Sequence, residues 1–94
     1  MSELITASVL TVRVVYLARL REAFGATSES VTLSSGQMDV AGLLALLRSR
    51  GGAWAAELAR ARSVRVAVNH AVVAADAPLR DGDEVALFPP VTGG

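Results

Sequence analysis

The side chains of this chain offer little reactive chemistry. Its 94 residues contain no cysteine and no lysine, and His70 is its single histidine. Without a thiol there is no cysteine nucleophile, disulfide or thiolate metal site. One histidine does not furnish a histidine metal cluster or a catalytic triad, and beside Asn69 in a tight turn His70 reads as a solvated residue. Asp76, Asp81, Asp83 and Glu84 gather carboxylates, yet they lack the spacing and glycine placement of a calcium loop. Asp81-Gly82 is turn chemistry, and the acids nearby form a patch able to steer a basic partner. Arg21-Glu22 reads as a surface helical pair. No phosphate-cradling glycine loop is present, and no metal or cofactor is expected on this chain.

What remains is the terminal carboxylate of Gly94. The sequence closes on Phe88-Pro89-Pro90-Val91-Thr92-Gly93-Gly94. Glycine has no Cβ, so Gly93 and Gly94 can thread a slot too narrow for other residues. Pro89 and Pro90 hold φ near the polyproline value, which predicts that residues 89–94 leave the body as a stiff arm. A merely frayed end needs neither the proline brace nor the paired glycines, so a working tail is expected. At about 3.3–3.6 Å per residue, Val91 to Gly94 reach roughly 13–14 Å into a partner.

The body behind that tail is one domain. Its composition is 52% hydrophobic with a mean hydropathy of +0.45, enough for a compact core. Nine arginines balance nine acidic residues, which excludes a nucleic-acid binder working by phosphate neutralisation. Met1-Ser2-Glu3-Leu4-Ile5 has neither a basic segment nor a long apolar run. No signal peptide or membrane span is expected, and the default location is cytoplasmic.

Residues 1–11 show no clear period and read as a loose extension, leaving 12–94 as the domain. Val12 to Ala18 predicts a strand with Val12, Val14 and Tyr16 on the core face and Arg13, Val15 and Leu17 outward. Arg19 to Phe24 fits a helical turn closed by Gly25, and Glu29 to Leu33 a second strand pairing with the first. Asp39 is a candidate N-cap for a helix whose Val40, Leu43, Leu44 and Leu47 share one face, with Gly51 at its C-terminal cap. Gly42 within it costs about 1 kcal/mol relative to alanine. Trp54 and Leu58 suggest a further helical segment over 53–61. Val64, Val66 and Val68 predict a third strand, Asn69-His70 a turn, and residues 71–74 a return strand. Residues 78–82 read as a turn, and 83–88 as the last strand, with Val85 and Leu87 inward and Glu84, Ala86 and Phe88 outward. The order β-β-α-(α)-β-β-β predicts an α+β fold of β-grasp, ubiquitin-like type, with one main helix on one face of a mixed sheet. Leu17 and Phe88 then lie on the open face, where exposed apolar residues mark a partner surface.

The run from Asp81 to Gly94 resembles the end of the sulfur-carrier (small) subunit family of molybdopterin synthase. Ala67-Val68-Asn69, Trp54 and Leu17-Ala18 leading into Arg21-Glu22 share the likeness, which covers about Val12 to Gly94. A Gly-Gly end alone is weak, being shared by ubiquitin-like proteins of several functions; Phe-Pro-Pro-Val-Thr-Gly-Gly is far more specific. The resemblance implies a non-catalytic subunit of a heterotetrameric sulfurtransferase. In it the Gly94 carboxylate is adenylated by a partner enzyme using ATP and magnesium, then converted to a thiocarboxylate by a sulfur donor system. The carrier docks on the large subunit and donates sulfur to cyclic pyranopterin monophosphate, building the dithiolene of molybdopterin. It further implies docking through Leu17, Val72 and Phe88, and through Pro89, Pro90, Val91 and Thr92, with Gly93 threading the tail. Val72 is smaller than the leucine usual at its position. Rival readings are a thiamin-type sulfur carrier, a ubiquitin-like modifier of target lysines, and a β-grasp binding module without covalent chemistry.

Overall fold

Alternate residues of the first strand are sealed from water, and that alternation sets the architecture. Strand β1 (Val9–Tyr16) buries Leu10, Val12, Val14 and Tyr16 and turns Val9, Thr11 and Arg13 outward, the period-two pattern of a sheet covered on one face. The computed structural model describes residues 9–34, 37–59 and 64–90. After β1 come α1 (Arg19–Phe24), β2 (Ser28–Ser34), α2 (Val40–Arg48), α3 (Gly52–Leu58), β3 (Arg65–Val68), β4 (Ala71–Val73) and β5 (Glu84–Phe88). The strands form one sheet in the order β2-β1-β5-β3-β4. Strands β1 and β5 run parallel at its centre, with Val14 opposite Val85 and Val15 opposite Ala86. All other neighbours are antiparallel. This is the α+β, β-grasp arrangement expected from the element order, with the last strand inserted between the first and third.

Helix α2 holds the core together. Its Val40, Leu43 and Leu47 are buried and join Val12, Val14, Leu33, Val85 and Leu87 of the sheet in one cluster. Burying each such side chain contributes about 1.5–3 kcal/mol. Asp39 caps the helix as expected, its Oδ1 accepting from the Gly42 amide at 2.7 Å, a contact worth about 1 kcal/mol. Helix α1 places Leu20 in the core and closes on Gly25, whose φ of 67° is left-handed. Leu58 brings α3 into the same cluster.

Four local expectations are corrected. The strand begins at Val9, so Val9, Leu10 and Thr11 belong to the domain and not to an extension over 1–11. Leu10 continues the buried alternation two residues before Val12. The Thr11 amide donates to Asp81 Oδ1 at 2.7 Å and its carbonyl accepts from Gly82 at 2.8 Å. Residues 1–8 lie outside the described residues. Gly51 does not close α2, which ends at Arg48 with Ser49 as its cap; with φ 76° it starts α3, turning the chain directly from one helix into the next. Leu79, within the run read as a turn, is a core residue. Its amide donates to the Met38 carbonyl at 2.9 Å, and Pro78 bridges Asp39, which pins this loop beside the start of α2. Gly42 is more than a tolerated cost, because a Cβ there would lie 2.7 Å from the Gln37 backbone.

Candidate functional site

The three helices bury their apolar residues against one face of the sheet, and the other face carries an apolar row. Residues opposite each other in a sheet point to the same side. Val15 lies opposite Ala86, Ala86 opposite Ala67, and Ala67 opposite Val72. The row therefore crosses four strands, about 14 Å at ~4.8 Å per strand. The two alanines leave its middle low. On one side it is bounded by Arg13 opposite Glu84. On the other, about 6.6–6.8 Å along the strands, stand Phe88 and its opposite residue Arg65. Leu17 adjoins them, since its amide donates to the Leu87 carbonyl at 3.0 Å. Leu17 and Val72 are 41% and 64% exposed, and Phe88 is half-buried. Leu17, Val72 and Phe88 thus share one face. Val15, Ala67 and Ala86 complete it.

Leu17 is held from behind. Its neighbour Tyr16 points into the covered side, where its hydroxyl donates to Glu29 Oε2 at 2.7 Å. Arg50 donates to both Glu29 oxygens, at 2.8 and 2.9 Å, and its guanidinium lies 4.5 Å from the centre of the Trp54 ring. Trp54 stacks on Phe24 at 3.9 Å, and Tyr16 meets both edge-on at 5.3 and 5.2 Å. Burial, and then the bond to Glu29, push the Tyr16 phenol above its ordinary range. Hydrogen bonding from Arg50 holds the Glu29 carboxyl below the usual carboxylate range, and the same bond raises Arg50. The set is consequently a neutral phenol, a carboxylate and a guanidinium at neutral pH. Past Leu17, Ala18 adopts φ 53°, ψ −132°, a region that costs a residue with a Cβ about 1–3 kcal/mol. It is kept there by the Leu20 and Arg21 amides, which donate to the Leu17 and Ala18 carbonyls at 3.2 and 3.1 Å.

Asp81 and Asp83 lie just before the start of β5, at the opposite end of that strand from Pro89 and Pro90, and their carboxylates are occupied in holding the chain there. Asn69 and His70 have φ of 49° and 76°, the two positive values of a two-residue hairpin turn. The Asn69 side chain donates to Asp83 Oδ1 at 2.9 Å and accepts from the Glu84 amide at 3.0 Å. It stitches the β3–β4 hairpin to the start of β5. Asp83 Oδ2 accepts from the Arg80 amide at 2.9 Å, while Asp81 holds Thr11. His70 is an exposed turn residue, and the described residues contain no cluster of three or more groups able to hold a metal. Arg21 and Glu22 are both exposed; adjacent helical residues do not face each other, and Arg19 instead pairs with Glu57 of α3 at 3.4 Å.

Pro89 and Pro90 follow β5 at once, half-exposed and outside any strand or helix. The apolar row therefore runs up to the root of the tail. Val91, Thr92, Gly93 and Gly94 lie outside the described residues. Sequence reasoning missed the Tyr16–Glu29–Arg50–Trp54 assembly. Its one visible signal is that Tyr16, Phe24 and Trp54 are three of only four aromatic residues.

Comparison with known proteins is consistent across most of the chain. A model of the ThiS family matches residues 14–94. The molybdopterin synthase sulfur carrier subunit of Escherichia coli is 36% identical over 83 residues, covering 88% of this chain and 99% of that protein. The crystal structure of SAMP1 from Haloferax volcanii superposes with a TM-score of 0.69 and 27% identity, covering 89% of this chain and 99% of that one. One subunit in the complex of subunits 1 and 2 of the molybdopterin-converting factor from Helicobacter pylori superposes with a TM-score of 0.60 and 26% identity, covering 90% and 100%.

Proposed function

Because the chain belongs to the ThiS family, we propose that it is the sulfur carrier subunit of a molybdopterin synthase, inert alone and active through its last residue. The observation that carries this reading is an apolar sheet face leading without a break into the root of a Pro-Pro, Gly-Gly tail. The similarity to the carrier subunit of Escherichia coli supports it.

A carboxylate is a poor electrophile until its oxygen is converted into a leaving group. In the proposed sequence an activating enzyme, using ATP and magnesium, forms an acyl adenylate at Gly94. Sulfide-level sulfur from a donor then attacks that carbonyl and AMP departs, leaving a thiocarboxylate. Docking of the Leu17, Val72 and Phe88 face on the large subunit brings the binding energy of a broad surface to a small reacting group. Val91 and Thr92 extend the tail, and Gly93 allows it through a narrow passage. The terminal sulfur passes to cyclic pyranopterin monophosphate. This chain needs no cofactor of its own for these steps, and ATP and magnesium belong to the activating enzyme.

The test is molybdopterin formed by synthase reconstituted with the chain, with thiocarboxylation followed by intact mass. Deleting Gly94, or appending one residue, should leave stability unchanged and abolish product. Wild-type yield from either variant, with the appended residue shown to be retained, overturns the carrier reading. A second reading, a ubiquitin-like modifier, draws support from the likeness to SAMP1, a small archaeal modifier protein. It requires Gly94 joined to amines of other proteins, seen as conjugates of raised mass in place of a thiocarboxylate.

A further inference from the structure

We propose that the free edge of strand β2 pairs with the same edge of a second copy, antiparallel about Val31, to give a reversible dimer with one continuous ten-stranded sheet. Among the described residues, strand β2 is the outer strand on one side of the sheet, seven residues long, against three residues for β4 at the other edge. Which of its backbone groups are free follows from its pairing with β1. The Tyr16 amide donates to the Thr27 carbonyl at 2.8 Å, so Tyr16 and Thr27 form a hydrogen-bonded pair. Such pairs alternate along an antiparallel ladder, and with Val14 opposite Glu29 and Val12 opposite Val31 the bonds to β1 come from Glu29, Val31 and Leu33. The amides and carbonyls of Ser28, Ser30, Thr32 and Ser34 therefore point away from β1, to the free edge.

Those four residues are spaced for self-pairing. With Val31 opposite Val31 of the copy, Ser30 meets Thr32 and Ser28 meets Ser34, each pair exchanging two N–H···O bonds. Registers centred on Ser30 or Thr32 leave some of these groups unpaired. On the open face the facing side chains are all hydroxyls, a favourable cross-strand combination. On the covered face Val31 meets Val31 and Glu29 meets Leu33. Glu29 carries the strand's only charge and is neutralised within its own chain by Arg50; the two copies of Glu29 lie about 14 Å apart, beyond a Debye length of ~8 Å. Of the usual protections the edge has no proline and no lysine, and its one inward charge, Glu29, is neutralised within its own chain by Arg50. The chain's formal net charge of zero adds no long-range repulsion. The two-fold axis stands perpendicular to the sheet, so all helices fall on one side. Val15, Phe88 and Val72 of both copies stay uncovered on the other.

One strand edge covers less than the ~1,600 Å² of a standard interface, so the dimer should be weak and populated only at high protein concentration. The experiment is sedimentation equilibrium of the full chain, with backbone amide NMR shifts followed over a millimolar-to-micromolar dilution. The expected result is a monomer–dimer equilibrium in which the amides of Ser28, Ser30, Thr32 and Ser34 shift with concentration and those of Glu29, Val31 and Leu33 shift far less. Thr32→Pro removes an outward donor without removing a bond to β1 and should abolish dimerisation. Ser30→Lys, which needs no change in backbone, should do the same by placing two ammonium groups across the axis. A monomer at every concentration overturns the proposal. So does a dimer that survives Ser30→Lys, or one whose shifts fall on Leu17, Val72 and Phe88. Carrier activity does not enter these readouts, so failure here leaves the proposed function standing, and the reverse also holds.

Discussion

Replacing Gly42 by alanine should destabilise this protein, although the same change in most helices stabilises. Helix propensity alone favours alanine by about 0.8–1 kcal/mol. Here the added Cβ would stand 2.7 Å from the Cα, carbonyl carbon and carbonyl oxygen of Gln37, and backbone does not yield as a side-chain tip does. Gln37 is tied on both sides. Its amide donates to the Ser34 carbonyl at 3.0 Å, and the next residue, Met38, accepts from the Leu79 amide at 2.9 Å. Moving it disturbs the Asp39 cap, itself worth about 1 kcal/mol, and the seat of buried Leu79. Because backbone must give way, the cost falls in the upper part of the usual overpacking range, about 2–3 kcal/mol, so after the propensity gain the net loss should be roughly 1–2 kcal/mol. For a domain of this size that is a fall in Tm of about 4–16 °C. Thermal unfolding followed by circular dichroism measures it. A Tm equal to or above that of the wild type would refute the close approach of Gln37 to the helix.

Phe88→Ala should weaken binding to the large subunit by about 30-fold or more, the effect of truncating an interface anchor worth ~2 kcal/mol. Titration calorimetry against that subunit checks it, and unchanged affinity removes Phe88 from the docking face. Glu29→Gln tests the assembly behind Leu17. Because Arg50 depresses the Glu29 pKa, the stabilisation is present above the ordinary value of 4.5 and is lost as pH falls through the lower folded value. The wild-type urea midpoint should therefore drop on acidification below about 4.5, and Glu29→Gln should be less stable at neutral pH with a flatter acid limb. Parallel pH curves for the two proteins would show that the carboxylate contributes nothing there.

The element order, the alternation of β1, the Asp39 cap and the Asn69-His70 and Asp81-Gly82 turns were legible in the sequence, because each depends on residues within a few positions of one another. The same locality exposes the inward and outward faces, and so puts Leu17 and Phe88 on one side. It failed where the partner is distant in the chain. Val9 to Thr11 look aperiodic until Leu10 is seen packed in the core and Thr11 bonded to Asp81, 70 residues away. Gly42 looks like a defect until Gln37 is folded against it. Arg50 and Glu29, 21 residues apart, belong to segments with unrelated patterns, and only the tertiary packing brings Tyr16 of β1 against Trp54 of α3 at 5.3 Å. The row Val15–Ala86–Ala67–Val72 is likewise a product of register. Hydrophobic period assigns each residue to a face, whereas strand pairing decides which residues on that face become neighbours, and pairing is set by the whole core closing at once.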